Sequence, residues 1–194
     1  MTEREVLLTG IGGQGVQLAA QVLARAAVLD ARHVLLFGVY GGAMRGMNTD
    51  GTVVIGDEPI HAPPLLSRSW SAVAMHDRYW APVAPKIRDG GIVVVNDSTF
   101  SADLAAVPAR SFRVPASELA AEVGDELTAS MVLLGAFAAI TGLVTLGALH
   151  AGMRESVPAY RRQHVERNEQ ALTAGFGAVE PLTVPAWTAE PART

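Results

Sequence analysis

The chain has no cysteine in its 194 residues and a single lysine, Lys86. The first absence excludes disulfides, thiolate zinc sites, cysteine-ligated iron–sulfur clusters and a thiol nucleophile on this chain. Basic charge is scarce and scattered. Fifteen Lys and Arg stand against nineteen Asp and Glu, a net charge of −4 with no basic run. Nucleic acid is thereby excluded as the main partner, because neutralising phosphates takes clustered cations. Charged residues make up 18% of the chain and hydrophobic ones 49%, which excludes a disordered polymer and fits a globular domain with surface to hide against a partner. Met1–Glu5 lead into a strand without the basic and apolar regions of a secretory leader, so a cytoplasmic location is expected. Ser130–Leu149 is a twenty-residue stretch without charge, about the length of a membrane span. It lacks an aromatic belt and flanking basic clusters, so the expectation is buried helices of a soluble domain, broken near Thr141-Gly142, and no membrane span.

Strand and helix signals alternate along what is there. Glu5–Thr9 reads as a buried strand, Gly10–Gly15 as a glycine turn and Val16–Leu29 as a helix. His33–Phe37 reads as a second strand entering a loop at 38–46, and Thr52–Ile55 as a third. Pro63-Pro64 opens a connection, Ala72–Met75 is a weaker strand, and Ala81–Arg88 reads as a helix ahead of the Ile92–Val95 strand. A strand near Phe112–Val114, a helix over Ser117–Val123, the apolar helices and a polar helix over Ala159–Ala174 closed by Gly175 follow. This order predicts an α/β, Rossmann-like, mostly parallel sheet with helices on both faces. A single domain is expected over 1–180, with a tail over 181–194.

Gly10-Ile11-Gly12-Gly13-Gln14-Gly15 satisfies G-x-G-x-x-G between a strand and a helix. Glycines permit the tight turn, and free amides at the helix start favour an anion such as a phosphate. A dinucleotide site would also want an acid at the end of the second strand, and His33–Gly38 offers none. The second loop carries Tyr40, Gly41, Arg45 and Gly46 where open α/β sheets place ligands. Arg45 there is either a clamp for phosphate or carboxylate or a partner for an acid across an interface. The five histidines are dispersed, and His76-Asp77 reads as a turn. Ser67, Ser69 and Ser71 lack a nucleophile elbow, Trp70, Tyr79 and Trp80 are assigned to interface packing, and Arg161, Arg162, Glu166 and Arg167 to a solvated helix face. No catalytic residue and no metal site is assigned.

The two loops together resemble the gamma subunit, or gamma domain, of the 2-oxoacid:ferredoxin oxidoreductases, which act on pyruvate, branched-chain oxoacids, 2-oxoglutarate or indolepyruvate. Gly10–Val16 matches that family's G-x-G-G-Q-G-V, and Tyr40, Gly41, Arg45 and Gly46 match its Y-G-x-E-x-R-G-G. Asp89–Asn96 resembles its glycine-pair strand followed by Asn, Leu134-Gly135-Ala136 its L-G-A helix, and Asn168–Gly175 its closing helix. Ala43 stands in place of the usual Glu, Met47 of the second Gly, and Ser130 of an Asn. The resemblance implies a subunit of a complex that oxidatively decarboxylates a 2-oxoacid to acyl-CoA and passes electrons to ferredoxin. Thiamine diphosphate and iron–sulfur clusters would lie in the alpha and beta partners, and this chain has no Gly-Asp-Gly followed by Asn-Asn of its own. Coenzyme A is the ligand implied for Gly10, Gly12, Gly13, Gln14 and Gly15, with Tyr40, Gly41, Arg45 and Gly46 beside it. The rival readings are a free-standing nucleotide-binding oxidoreductase and a non-catalytic assembly subunit.

Overall fold

Leu7 and its neighbours are apolar without interruption, so the first strand can lie only where both of its faces are covered. A computed structural model, which describes residues 2–40, 46–60 and 66–187, places it there. β1 (Glu3–Ile11) is a central strand of a six-stranded sheet ordered β2-β3-β1-β4-β5-β6, with β2 His33–Tyr40, β3 Asn48–Gly56, β4 Ser69–Ala74, β5 Ile87–Asn96 and β6 Ala109–Val114. β1, β4, β5 and β6 pair in parallel, whereas β3 is antiparallel to both β1 and β2. One strand of the six is therefore reversed, and the sheet is mostly parallel as expected. After β1 the chain moves to one side of the sheet, and from β4 onward to the other. The carboxyl ends of β1 and β4 thus flank a topological switch point, where ligands of open α/β sheets bind.

Among the described residues the α-helices do not cover both faces. α1 (Val16–Leu29), α2 (Ala116–Val123), α3 (Ala129–Thr141), α4 (Leu146–Ser156) and α5 (Val165–Gly177) gather on the face that carries Val6, Leu8, Val73 and Val94. The opposite face, with Leu7, Ala72, Ala74, Val93 and Val95, is covered by Trp80, Val83, Phe100, Leu104 and Val107 from irregular connections. The expected helix over 81–88 is one cause: only Ala84–Lys86 forms a short 3-10 turn, and β5 already begins at Ile87. Pro82 and Pro85 remove amide donors and obstruct helical turns. Trp80 meets Phe100 edge-on at 5.5 Å and Trp70 meets Phe137 at 6.3 Å, so both indoles pack the chain's own interior rather than an interface.

The charge-free stretch becomes α3 and the start of α4, interrupted at Gly142. Every α3 residue after Ala129 is buried, as befits a helix apolar all round. Among the described residues no helix is long and apolar enough to cross a membrane. The polar helix divides into a 3-10 turn at Ala159–His164 and α5, which continues past Gly175 to Gly177. The segment expected as a tail is docked through Trp187. Amides of Leu182, Val184 and Ala186 donate to the carbonyls of Ala139, Ile140 and Thr141, and the Trp187 indole N–H donates to Leu143. The last carbonyls of α3, which a helix leaves without partners, are satisfied in this way.

Candidate anion site at the glycine loop

β1 ends at Ile11 and α1 starts at Val16, so four residues must turn the chain. Gly13 and Gly15 do this at φ +108° and +78°, left-handed values open to glycine and costly for a residue with a Cβ. A Cβ on Gly15 would stand 2.5 Å from the Ser130 hydroxyl, whereas one on Gly13 would project into open space. Gln14 closes the loop on itself: its Oε1 accepts the Ile11 amide at 2.8 Å, and its own amide donates to the Ile11 carbonyl at 3.0 Å. The second loop returns against the first. Gly12 donates its amide to the Met47 carbonyl at 2.8 Å, Gly46 donates to the Gly12 carbonyl at 3.2 Å, and the Tyr79 hydroxyl donates to the Gly46 carbonyl at 3.2 Å.

Asp50 anchors this junction. Its carboxylate accepts the Thr9 hydroxyl at 2.7 Å and the Asn48 amide at 2.8 Å, and its carbonyl accepts Gln17 Nε2 at 2.7 Å. With the loop so held, the amides of Gly13 and Gly15 have no acceptor among the described residues, and α1 has neither a side-chain cap nor an acid in its first turn. The start of α1 thus keeps unspent amide donors. Dipole attraction contributes only about 0.3–1 kcal/mol at an exposed helix end, so affinity must come from directed N–H bonds.

Gly12, Gly13, Gln14 and Gly15 therefore form one connected turn that Gly46 touches, while Gly10, expected in the turn, belongs to β1 because it pairs with Thr49 of β3. Tyr40 closes β2, while Gly41 and Arg45, with Ala43, lie outside the described residues. Two spaces adjoin Gly13. A cavity of about 590 Å³ runs from Gly13 and Gly15 past Leu18 and Gln21 to Arg161, His164 and Asn168. A smaller crevice of about 100 Å³ lies at the switch point, between Gly13-Gln14 and Asn96, Ser117 and Ser130. Arg161 is exposed, as expected of a solvated face, and also lines the space that the glycine loop borders. From the sequence, Ser117, Asn96 and His164 receive no site role. For Asn96 the signal was present, a polar residue directly after a buried strand at the ligand-bearing end of the sheet.

His76-Asp77 is a cap, not a reactive pair. The Asp77 carboxylate accepts both the amide and the hydroxyl of Ser101, at 3.0 and 2.6 Å, and lies 2.9 Å from His76 Nδ1. The Ser101 hydroxyl chiefly, against some burial, holds the Asp77 carboxyl below the usual carboxylate range. A depressed carboxylate stabilises the fold above its unfolded pKa, and that contribution fades as pH falls through the folded value. Asp77→Asn is accordingly expected to lower the melting temperature at pH 7, with the gap from the parent closing as pH drops below about 4. A gap of equal size at pH 7 and pH 3 would refute the assignment. Among the described residues no group of His, Asp and Glu is placed to hold a metal ion.

Comparison with known proteins gives the site a lineage. Residues 5–178 match the family described as pyruvate ferredoxin/flavodoxin oxidoreductase. The chain is 30% identical over 182 residues to the 2-oxoglutarate synthase subunit KorC of Methanocaldococcus jannaschii, covering 92% of this chain and 95% of that one. The keto/oxoacid ferredoxin oxidoreductase gamma subunit of Geobacter sulfurreducens superposes with a TM-score of 0.75 at 26% identity, covering 90% of this chain and 97% of its own. The fold also recurs in a 2-oxoglutarate:ferredoxin oxidoreductase of Magnetococcus marinus, solved with 2-oxoglutarate, coenzyme A and succinyl-CoA. There the TM-score is 0.79 at 16% identity, over 94% of this chain and 34% of that one. Matched nearly end to end in sequence and in fold, the chain belongs to the pyruvate ferredoxin/flavodoxin oxidoreductase family and resembles its gamma subunits.

Proposed function

We propose that this chain works as the gamma-type subunit of a thiamine-diphosphate-dependent 2-oxoacid:ferredoxin oxidoreductase, a cytoplasmic complex that oxidatively decarboxylates a 2-oxoacid to acyl-CoA. Its glycine loop receives the anionic part of coenzyme A. The observation that carries the ligand assignment is the pair of unpartnered amides at Gly13 and Gly15, set at the switch point and backed by the start of α1. Alpha and beta partners would hold the thiamine diphosphate and the iron–sulfur clusters, since a chain without cysteine supplies no thiolate ligands. Ferredoxin would be reached through the complex. This chain's contribution is binding and orientation: Gly13 and Gly15 donate to anionic oxygen, Gln14 keeps the turn closed, and the 590 Å³ cavity gives an extended ligand room. The exposed Val28, Leu29 and Leu36 beside β2, an edge strand of the sheet, are the sort of surface that a partner subunit covers.

A free-standing dinucleotide enzyme is disfavoured because β2 carries no acid at its carboxyl end to hold a ribose. Two measurements test the reading. Native purification from the host is expected to bring down thiamine-diphosphate-binding chains; recovery of this chain alone would sink the subunit assignment. In the assembled complex, Gly13→Val is expected to raise the KM for coenzyme A about tenfold or more, because a charge-assisted hydrogen bond is worth about 1.5–3 kcal/mol. An unchanged KM with intact assembly would leave this chain a scaffold.

A further inference from the structure

The small crevice differs from an ordinary gap between elements in what lines it. Asn96, at the end of β5, is 2% exposed and hydrogen-bonded through both its carboxamide oxygen and nitrogen. Its Oδ1 accepts the amides of Ala116 and Ser117 at 3.1 and 3.3 Å, capping α2, and its Nδ2 donates to the Ser117 hydroxyl oxygen at 2.9 Å. Since the Ser117 oxygen is the acceptor in that bond, its own proton is free to be donated elsewhere. Ser130, on α3, is also 2% exposed, and its hydroxyl has no hydrogen-bond partner among the described residues. Gln14 spends its Oε1 on Ile11 and keeps its Nε2 as a donor, and the Gly13 amide is likewise unspent.

Donors from β1–α1, α2 and α3 thus converge on one space of about 100 Å³. A space of this volume admits a small tetrahedral oxyanion. The carboxylate that lines the crevice is that of Glu126, on an exposed 3-10 turn. Gly13 and Leu127 border both the crevice and the larger cavity, so a ligand anchored in the first can continue into the second toward Arg161 and His164.

We propose that the crevice is a phosphoryl pocket in which Ser117 and Ser130 donate their hydroxyl protons to a phosphate of the ligand that the glycine loop receives. The inference rests on the reading of that loop as an anion site. It adds two specificity residues on other elements and commits the ligand class to phosphate esters or anhydrides with bulk beyond the phosphate. Asn96 acts as a positioning residue, fixing the Ser117 oxygen so that its proton faces the crevice.

The test is calorimetric titration of the full chain with inorganic pyrophosphate at fixed ionic strength, followed by competition with coenzyme A. Ser117→Ala and Ser130→Ala are each expected to weaken pyrophosphate binding about tenfold; Ser130→Ala should keep an unliganded melting temperature close to that of the parent, whereas Ser117→Ala, which takes the acceptor from Asn96 Nδ2, should melt lower. Parent-like binding in both variants overturns the pocket. If Gly13→Val then loses pyrophosphate while the serine variants keep it, the loop reading stands and only the pocket falls. If the serine variants lose pyrophosphate but coenzyme A never displaces it from the parent, the pocket stands and the coenzyme A assignment falls. A parent chain that binds neither probe overturns both.

Discussion

Gly175→Ala is expected to lower the melting temperature by about 6–12 °C, a loss of about 3 kcal/mol at about 2–4 °C per kcal/mol for a chain of this size. A methyl at Gly175 would overlap the Val132 carbonyl of α3, and one at Gly135 would overlap the Leu172 carbonyl of α5. The two glycines sit on facing helices and let the backbones touch. Overpacking usually costs about 1–3 kcal/mol, and the upper end applies because the obstacle is main chain that no rotamer change can move aside. Gly177→Ala is the control. The same helix carries it, nothing lies within 4 Å of its would-be Cβ, and the change should be neutral or slightly stabilising. Thermal unfolding of the pair reads the contrast, and a Gly175→Ala variant that melts within about 2 °C of the parent would show that α3 and α5 separate at little cost.

Glu5→Ala is the second substitution with a large expected effect, about 3 kcal/mol, the low end for breaking a buried ion pair because Arg88 keeps some contact with water. Glu5 is 3% exposed, accepts the Trp70 amide at 3.1 Å and pairs with Arg88. Beside it, Arg4 donates to the Ala186 carbonyl at 2.7 Å and lies over the Trp70 ring at 4.8 Å. Burial, opposed by Glu5 and aided by Arg88, pushes the Arg4 guanidinium below its usual range. Without the carboxylate, the Arg88 guanidinium loses its partner and a buried amide loses its acceptor, so the cost is more than one ion pair. Arg88→Ala leaves the buried Glu5 carboxylate without its cation and should cost a similar amount. The effects of the two substitutions should fall well short of additive in the double variant, since they share one interaction. Strict additivity in urea unfolding would remove the pair from the account of stability.

The residues show how far one-dimensional reading reached. The Val16–Leu29 helix and the break at Gly142 were legible because apolar spacing and glycine act locally. So was the glycine turn, since its chemistry sits in six consecutive residues. The helix over 81–88 failed where two prolines outweighed composition, and the docked segment up to Trp187 went unseen because its partners are the carbonyls of a helix some forty residues earlier. Placement of the helices on one face also escaped, because periodicity reports that a face is buried but not which side of a sheet it meets.

The sequence by itself determined the α/β alternation, the glycine turn, the absence of thiolate ligands on this chain and the family. Those properties follow from residue type and short-range spacing, where backbone sterics and hydrophobic period do not depend on distant contacts. Only the tertiary structure decided that β3 runs against its neighbours, that Gly135 and Gly175 hold two helices in contact, and that Asn96, Ser117 and Ser130 meet Gly13 at the switch point. Each of these brings together residues far apart in the chain, and such meetings are selected by the packing of the whole sheet and its helices, which no local propensity encodes.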